Sequence, residues 1–312
     1  MTTVTRIVAG FDDTPSGFDA VALGRRLAEA TGAGLIVTHV YPTPAVTAAG
    51  VVLDPMLGER VHAEAEERLA HAGAALEGFD RWEGVVYACV PPARGLHDVA
   101  ERHGADLLVV SSTHRHGPGR VVPGTTADKL LHGSSFPVAV APAGWRDNCP
   151  STIRSVGAGF DGSAESAGAL AAAAALAGSA GADLHAVAVF EPPNPASPIF
   201  AVTSHGYHEI SRDLRDALER RLGEALAALP AGVAAHGEVI DGHAADVLSA
   251  RSGEFDLLAV GSRGWGALRA VVMGTLTHDL VSRSHCPLLI VPRGVDAPLA
   301  TLSAGRRHAG AN

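Results

Sequence analysis

Short apolar, β-branched runs alternate with longer segments of helical period along most of this chain. In the second half, SVGAGF (155–160) predicts a strand, ESAGALAAAAALAGSAGA a helix built from strong helix formers, and LHAVAVF a second strand. Beyond the loop PPNPASPIF, the segment HEISRDLRDALERRLGEALAAL places Ile210, Leu214, Leu218 and Leu222 on one face. It also spaces Asp216 and Arg220 for an i,i+4 ion pair. That pattern predicts an amphipathic helix with its apolar side on a core. AAHGEVI, FDLLAVG and PLLIVP read as further strands, with the helices AADVLSARSG and TLTHDLVSRS between them. Strands and helices therefore alternate from a first strand to a last, β-α-β-α-β-α-β-α-β. Nearly all-apolar strands in that order predict a parallel sheet covered by helices on both faces.

The same text is written twice. RIVAGFDDTPSG (6–17) returns as SVGAGFDGSAES (155–166), ADLLVVSS (105–112) as FDLLAVGS (255–262), and PGTTADKLLHGSSFPVAVAP (123–142) as MGTLTHDLVSRSHCPLLIVP (273–292). Asp12 falls on Asp161, Asp106 on Asp256 and Thr125 on Thr275, at a near-constant offset of about 150 residues, too long for a solenoid unit. The reading is two α/β domains, 1–143 and 153–294, joined by a linker, 144–152, whose Gly, Pro and polar residues suit one. Residues 295–312 lack an apolar period and read as a loose tail. Each domain is expected to be a doubly wound five-stranded parallel sheet of order 3-2-1-4-5, with ligands bound where strands 1 and 4 part at their carboxyl ends.

Composition narrows the function. A formal charge of −9 and a pI near 5.9 argue against nucleic acid and anionic membrane as partners, because both need a basic surface. The amino-terminal MTTVTRIVAGF has no apolar secretory core and LAAAAALAGSAG is too short to span a bilayer, so a cytoplasmic location is expected. Cys89, Cys149 and Cys286 form no C-x-x-C, which suits a reducing compartment.

The candidate chemistry lies in GSRGWGALRAVVMGT (261–275), directly after the fourth strand of the second half. Its glycines permit positive φ and a close approach of backbone to an anion. Free N–H groups would form a nest, with the positive end of the helix beginning near Thr275 aimed at the same place. Arg263 or Arg269 would add charge. Lys129 is the single lysine of the chain, so no Walker A loop exists. Phosphate would be held mainly by backbone.

Gly261-x2-Gly264-x9-Gly274-Thr275 resembles the G-x2-G-x9-G-[ST] signature of the ATP-binding universal stress proteins, and the resemblance runs over both halves. It implies a tandem member of that family: a regulatory module of stress response that binds ATP with Mg2+. A slow ATP hydrolase, or an interaction scaffold without nucleotide, are the alternatives. It makes Asp161 the aspartate that meets the nucleoside, Val189 a source of backbone groups for adenine, and the Gly261 loop with Thr275 the holder of ribose and phosphates. Gly159, Phe160, Ser262, Arg263, Gly264, Met273 and Gly274 complete that site. In the first half Asp12, Val40, Gly124 and Thr125 are kept, but Ser111 and His114 stand where the signature has glycine, and the His114 side chain intrudes on the phosphate loop. The resemblance also implies that PVAVAP and PLLIVP, the fifth strands, pair the two domains within the chain or join two chains as a homodimer. No residue is assigned to catalysis or to a metal.

Rival readings are weaker. Gly157-x-Gly159-x-x-Gly162 spells a dinucleotide fingerprint, but its first glycines lie inside a strand and Asp161 would face the pyrophosphate. His114 and His116, with no nearby cysteine or carboxylate, read as a solvated loop. Cys286 aligns with Phe136 and reads as apolar filler; Trp265 serves equally for stacking or packing.

Overall fold

The computed structural model describes residues 4–42, 55–112, 125–193, 204–262 and 275–292. In the first half β1 (Arg6–Phe11), β2 (Gly34–Tyr41), β3 (Trp82–Ala88), β4 (Leu107–Ser111) and β5 (Val138–Ala141) are laced by α1 (Pro15–Thr31), α2 (Pro55–Ala70), the short α3 (Ala72–Ala75), α4 (Pro92–His103) and α5 (Thr125–Gly133). After the four-residue α6 (Trp145–Asn148) the pattern repeats. Strands β6 (Ser155–Phe160), β7 (Asp183–Phe190), β8 (Ala235–Asp241), β9 (Leu257–Gly261) and β10 (Leu288–Val291) are joined by α7 (Ala164–Ala180), α8 (Ser204–Ala227), α9 (Ala244–Arg251) and α10 (Thr275–Arg283).

All ten strands form one sheet of order β3-β2-β1-β4-β5-β10-β9-β6-β7-β8, which reads the same from either edge. Neighbours are parallel within each half. At the centre β10 runs antiparallel to β5, with Leu288 opposite Val140, Leu289 opposite Ala139 and Ile290 opposite Val138. Four-residue strands buried along their whole length suit this seam: they offer Val, Leu, Ile and Ala to both faces and leave no edge in water. The apolar core follows the pleat. Ile7, Ala9, Leu35 and Val37 pack with α1 and α7 on one face; Val8, Ile36, Leu108 and Val140 pack with α4 and α5 on the other.

Two aspartates that recur in the repeat, Asp106 buried and Asp256 half-buried, hold this frame. Thr5 N–H and hydroxyl and Arg6 N–H donate to Asp106 Oδ2 at 2.7, 2.8 and 3.1 Å. Arg154 and Ser155 N–H donate to Asp256 Oδ2 at 2.7 and 3.0 Å. Each carboxylate pins the start of a first strand to the start of a fourth, so this repeated acid belongs to the fold. The chain between the halves is packed too: Ala143, Trp145 and Ile153 are buried.

Helix α8 departs from its periodicity. Leu222 is buried and Leu218 packs on the core, but Ile210 and Leu214 are 40% and 49% exposed. The pairing of Asp216 with Arg220 does not form; Arg215 instead meets Glu219 and, at 3.0 Å, Asp241 on the edge strand β8. Only the carboxyl half of the helix lies on the sheet. Cys286, 3% exposed beside β10, packs as a small apolar residue, and burial pushes its thiol up to about 12. At pH 8 a thiol reagent is therefore expected to modify Cys89 and Cys149 in the native protein and Cys286 only after unfolding. An unfolded thiol ionises near about 8.5 while this one stays protonated, so the native state loses relative stability as pH rises above that value.

Candidate functional site

The crevice forms where β1 and β4, and again β6 and β9, end side by side before their chains turn to opposite faces. Its first element is an aspartate in a tight turn. Asp12 Oδ1 accepts from Thr14 N–H and hydroxyl at 3.3 and 2.5 Å. Asp161 Oδ1 accepts from Ser163 N–H and hydroxyl at 2.9 and 2.5 Å. Thr14 and Ser163 in turn cap α1 and α7, accepting from Gly17 and Ser166 N–H. The aspartate is thus set beside the positive end of a helix by the residue that starts that helix.

The turn itself needs a left-handed residue. Gly162 supplies it in the second half at φ 79°, whereas Asp13 takes φ 56° in the first, a conformation uncommon for a side chain. A side chain from farther along each half stands over each turn. His71 Nδ1 lies 3.0 Å from Asp13 Oδ2, and the Arg221 Cδ and Nη1 lie 3.2 Å from where a Gly162 Cβ would be. Arg221 was not legible as a site residue.

Around these turns the two halves differ. In the first, Asp12, Val40, Ser111 and Thr125 line one open cleft together with Ser16, Gly17 and Thr38. Gly17 lets α1 lie against the aspartate: a Cβ there would stand 2.6 Å from Asp12 Oδ1. In the second half Ser166 occupies the matching position and accepts from Asp161 N–H at 3.3 Å, and the close approach moves to the strand end. A Cβ on Gly261 would stand 2.6 Å from both the carbonyl carbon and oxygen of Glu165. Gly261 therefore makes room for the helix and takes no positive φ, which corrects the expectation of a left-handed backbone there.

Other predicted residues fall as follows. Gly159 lies under Leu248 and Val260, and Phe160 is buried beside it. Val189 is half-buried near the end of β7, in register with Ile240 of β8, as Val40 is with Tyr87. Ser262, fully buried, donates its N–H to Val291 O at 2.9 Å, while its hydroxyl has no partner among the described residues. Thr275 and Thr125 begin α10 and α5. Arg263, Gly264, Met273, Gly274, His114 and Gly124 lie outside the described residues. No helix among the described residues is long and apolar enough to cross a membrane.

A model of the universal stress protein family matches residues 3–142 and again 152–292. A universal stress protein of Mycobacterium tuberculosis is 29% identical over 145 residues, 45% of this chain and 49% of that protein. The match thus spans about half the length of the curated relatives. Among solved structures, a universal stress protein from Archaeoglobus fulgidus is 17% identical with a TM-score of 0.61, covering 93% of this chain and 99% of that one. A functionally unknown protein from Pseudomonas aeruginosa PAO1 is 15% identical with a TM-score of 0.62, covering 95% of each chain. At such identity the likeness is one of fold.

Proposed function

Because the chain belongs to the universal stress protein family, carrying its domain twice, we propose that it is a nucleotide-responsive regulator in stress response whose second half holds ATP. The observation that carries this reading is the placement of Asp161 just after β6 and of Ser262, whose buried hydroxyl has no partner among the described residues, just after the adjoining strand β9. A buried hydroxyl without a partner among the described residues is costly unless something else satisfies it. A phosphate oxygen or ribose hydroxyl does so.

In this reading Asp161 accepts from the nucleoside and Val189 offers backbone groups to the base. The segment from Gly261 to Thr275 surrounds the ribose and phosphates with N–H donors. Arg221 and the amino end of α7 supply positive charge beside a 261–275 segment that has no lysine to offer. Bound Mg2+ would offset the remaining phosphate charge. The antiparallel pairing of β5 with β10 is proposed as the joint that holds the halves together in solution, so that nucleotide in one half is felt in the other.

Isothermal titration of Mg·ATP tests this. Wild type is expected to bind near one equivalent, and Gly264→His, which copies His114 of the first half, to weaken that binding at least about tenfold, the equivalent of about 1.4 kcal/mol. Equal affinity in the variant would remove the loop from the site.

A further inference from the structure

Tyr41 closes β2 with its hydroxyl 2.9 Å from Nδ1 of His62 on α2, and the other ring nitrogen, Nε2, lies 3.4 Å from Glu66 Oε1 one turn further along that helix. The two rings meet edge to face, their centroids 5.7 Å apart. An ionised carboxylate only accepts, so Glu66 favours the proton on Nε2. Nδ1 is then left as the acceptor and the phenol as the donor. Proton transfer within the trio has one direction, from Tyr41 to His62.

Packing does not call for this hydroxyl. Phe11 pairs with His39 as Phe160 pairs with Ala188, so the residue two steps on, Tyr41, is matched in the second half by Phe190, a ring with no oxygen. The Tyr41–His62 contact is open to solvent. A nucleophile, a base that takes its proton and an acid that orients the base are the three parts of covalent acyl transfer. Charge narrows the electrophile. Helix α2 carries Glu59, Glu64, Glu66 and Glu67 against Arg60 and Arg68, and Arg68 is engaged by Glu64 at 2.6 Å. An acidic rim repels phosphoryl and sulfuryl donors, whereas a neutral ester approaches without that cost.

We propose that Tyr41 is a nucleophile toward small, neutral, activated esters, with His62 as its base and Glu66 as the residue that positions His62, an activity separate from nucleotide in the second half. Tyr41 Oη attacks the acyl carbon, the new O–C bond forms, and the bond to the leaving oxygen breaks with its electron pair going to that oxygen. His62 Nδ1 takes the phenol proton and gives it up to the leaving group or to water. Water then attacks the acyl-tyrosine. His62 takes a proton from that water and returns it to Tyr41 Oη as the carboxylic acid departs.

The test uses p-nitrophenyl acetate on the full chain. After brief exposure, digestion and mass spectrometry are expected to find an added acetyl group on Tyr41 and not on Tyr87, whose hydroxyl meets a carboxylate, Asp98, at 3.5 Å. Tyr41→Phe, which copies Phe190, should lose the early release of p-nitrophenolate. His62→Gln should acetylate Tyr41 at least about tenfold more slowly, a smaller effect than a water-excluded base gives because this one stands half in solvent. Both variants should melt within about 2 °C of wild type. Glu66→Ala should slow the labelling by about threefold, as an exposed charge pair allows. In histidine nitrogen NMR spectra it should also turn His62 from the Nε2–H form into a mixture of tautomers. Tyr41 left unmodified, equal acetylation of Tyr41 and Tyr87, or a His62→Gln rate equal to wild type would overturn the proposal.

Discussion

Replacing Asp19 by alanine is expected to destabilise the protein by about 2–4 kcal/mol, through the loss of two charge-assisted hydrogen bonds and the burial of their donors unpaired. Asp19 lies on α1 and is 0% exposed, yet its partners are outside its own domain core. Gly144 N–H donates to Oδ2 at 2.9 Å and Arg146 N–H to Oδ1 at 3.0 Å, so the carboxylate caps α6 and fixes the chain as it leaves the first half. Gly144 takes φ 76° to present that N–H, and Trp145 is buried beside it. Asp19→Asn keeps one acceptor oxygen and should lose about half as much. Urea unfolding followed by tryptophan fluorescence measures both. An Asp19→Ala midpoint equal to wild type would mean that the segment between the halves is held by apolar contact alone.

A comparable loss is expected from Gly261→Val. Ordinary overpacking costs about 1–3 kcal/mol, and it is relieved by rotating side chains. Here the first atoms met are the carbonyl carbon and oxygen of Glu165, which move only if α7 moves. The cost should reach the top of that range or beyond it. Because α7 carries the cap that orients Asp161, ATP affinity should fall with stability. Ser111→Gly in the first half makes the opposite change, and is expected to shift stability by no more than about 1 kcal/mol, the backbone penalty of glycine in a strand. If Gly261→Val unfolds at the wild-type midpoint, the helix is not seated on the strand end as described.

Much of this architecture was legible because it was written twice. The repeated runs gave five strands per half and the point where the winding reverses, and the aspartates after β1 and β6 stand where the crevice opens. Periodicity failed for Ile210 and Leu214, since a helical stripe reports one apolar face and not how much of it the sheet is long enough to cover. Glycine 261 was read from its type as a residue of positive φ; the small side chain is called for by a helix about 100 residues earlier in the chain, which no local spacing reveals. Asp19 and Arg221 were missed for the same reason. Each gains its role from a partner on another element.

The central claim is that nucleotide sits in the second half, between Asp161 and the start of α10. A crystal structure of the protein grown with Mg·ATP tests it most directly. The account predicts density for the base beside Val189, for the ribose near Asp161, and for phosphates against the segment from Gly261 to Thr275. Nucleotide bound elsewhere, or a second-half crevice filled only by protein, would contradict it.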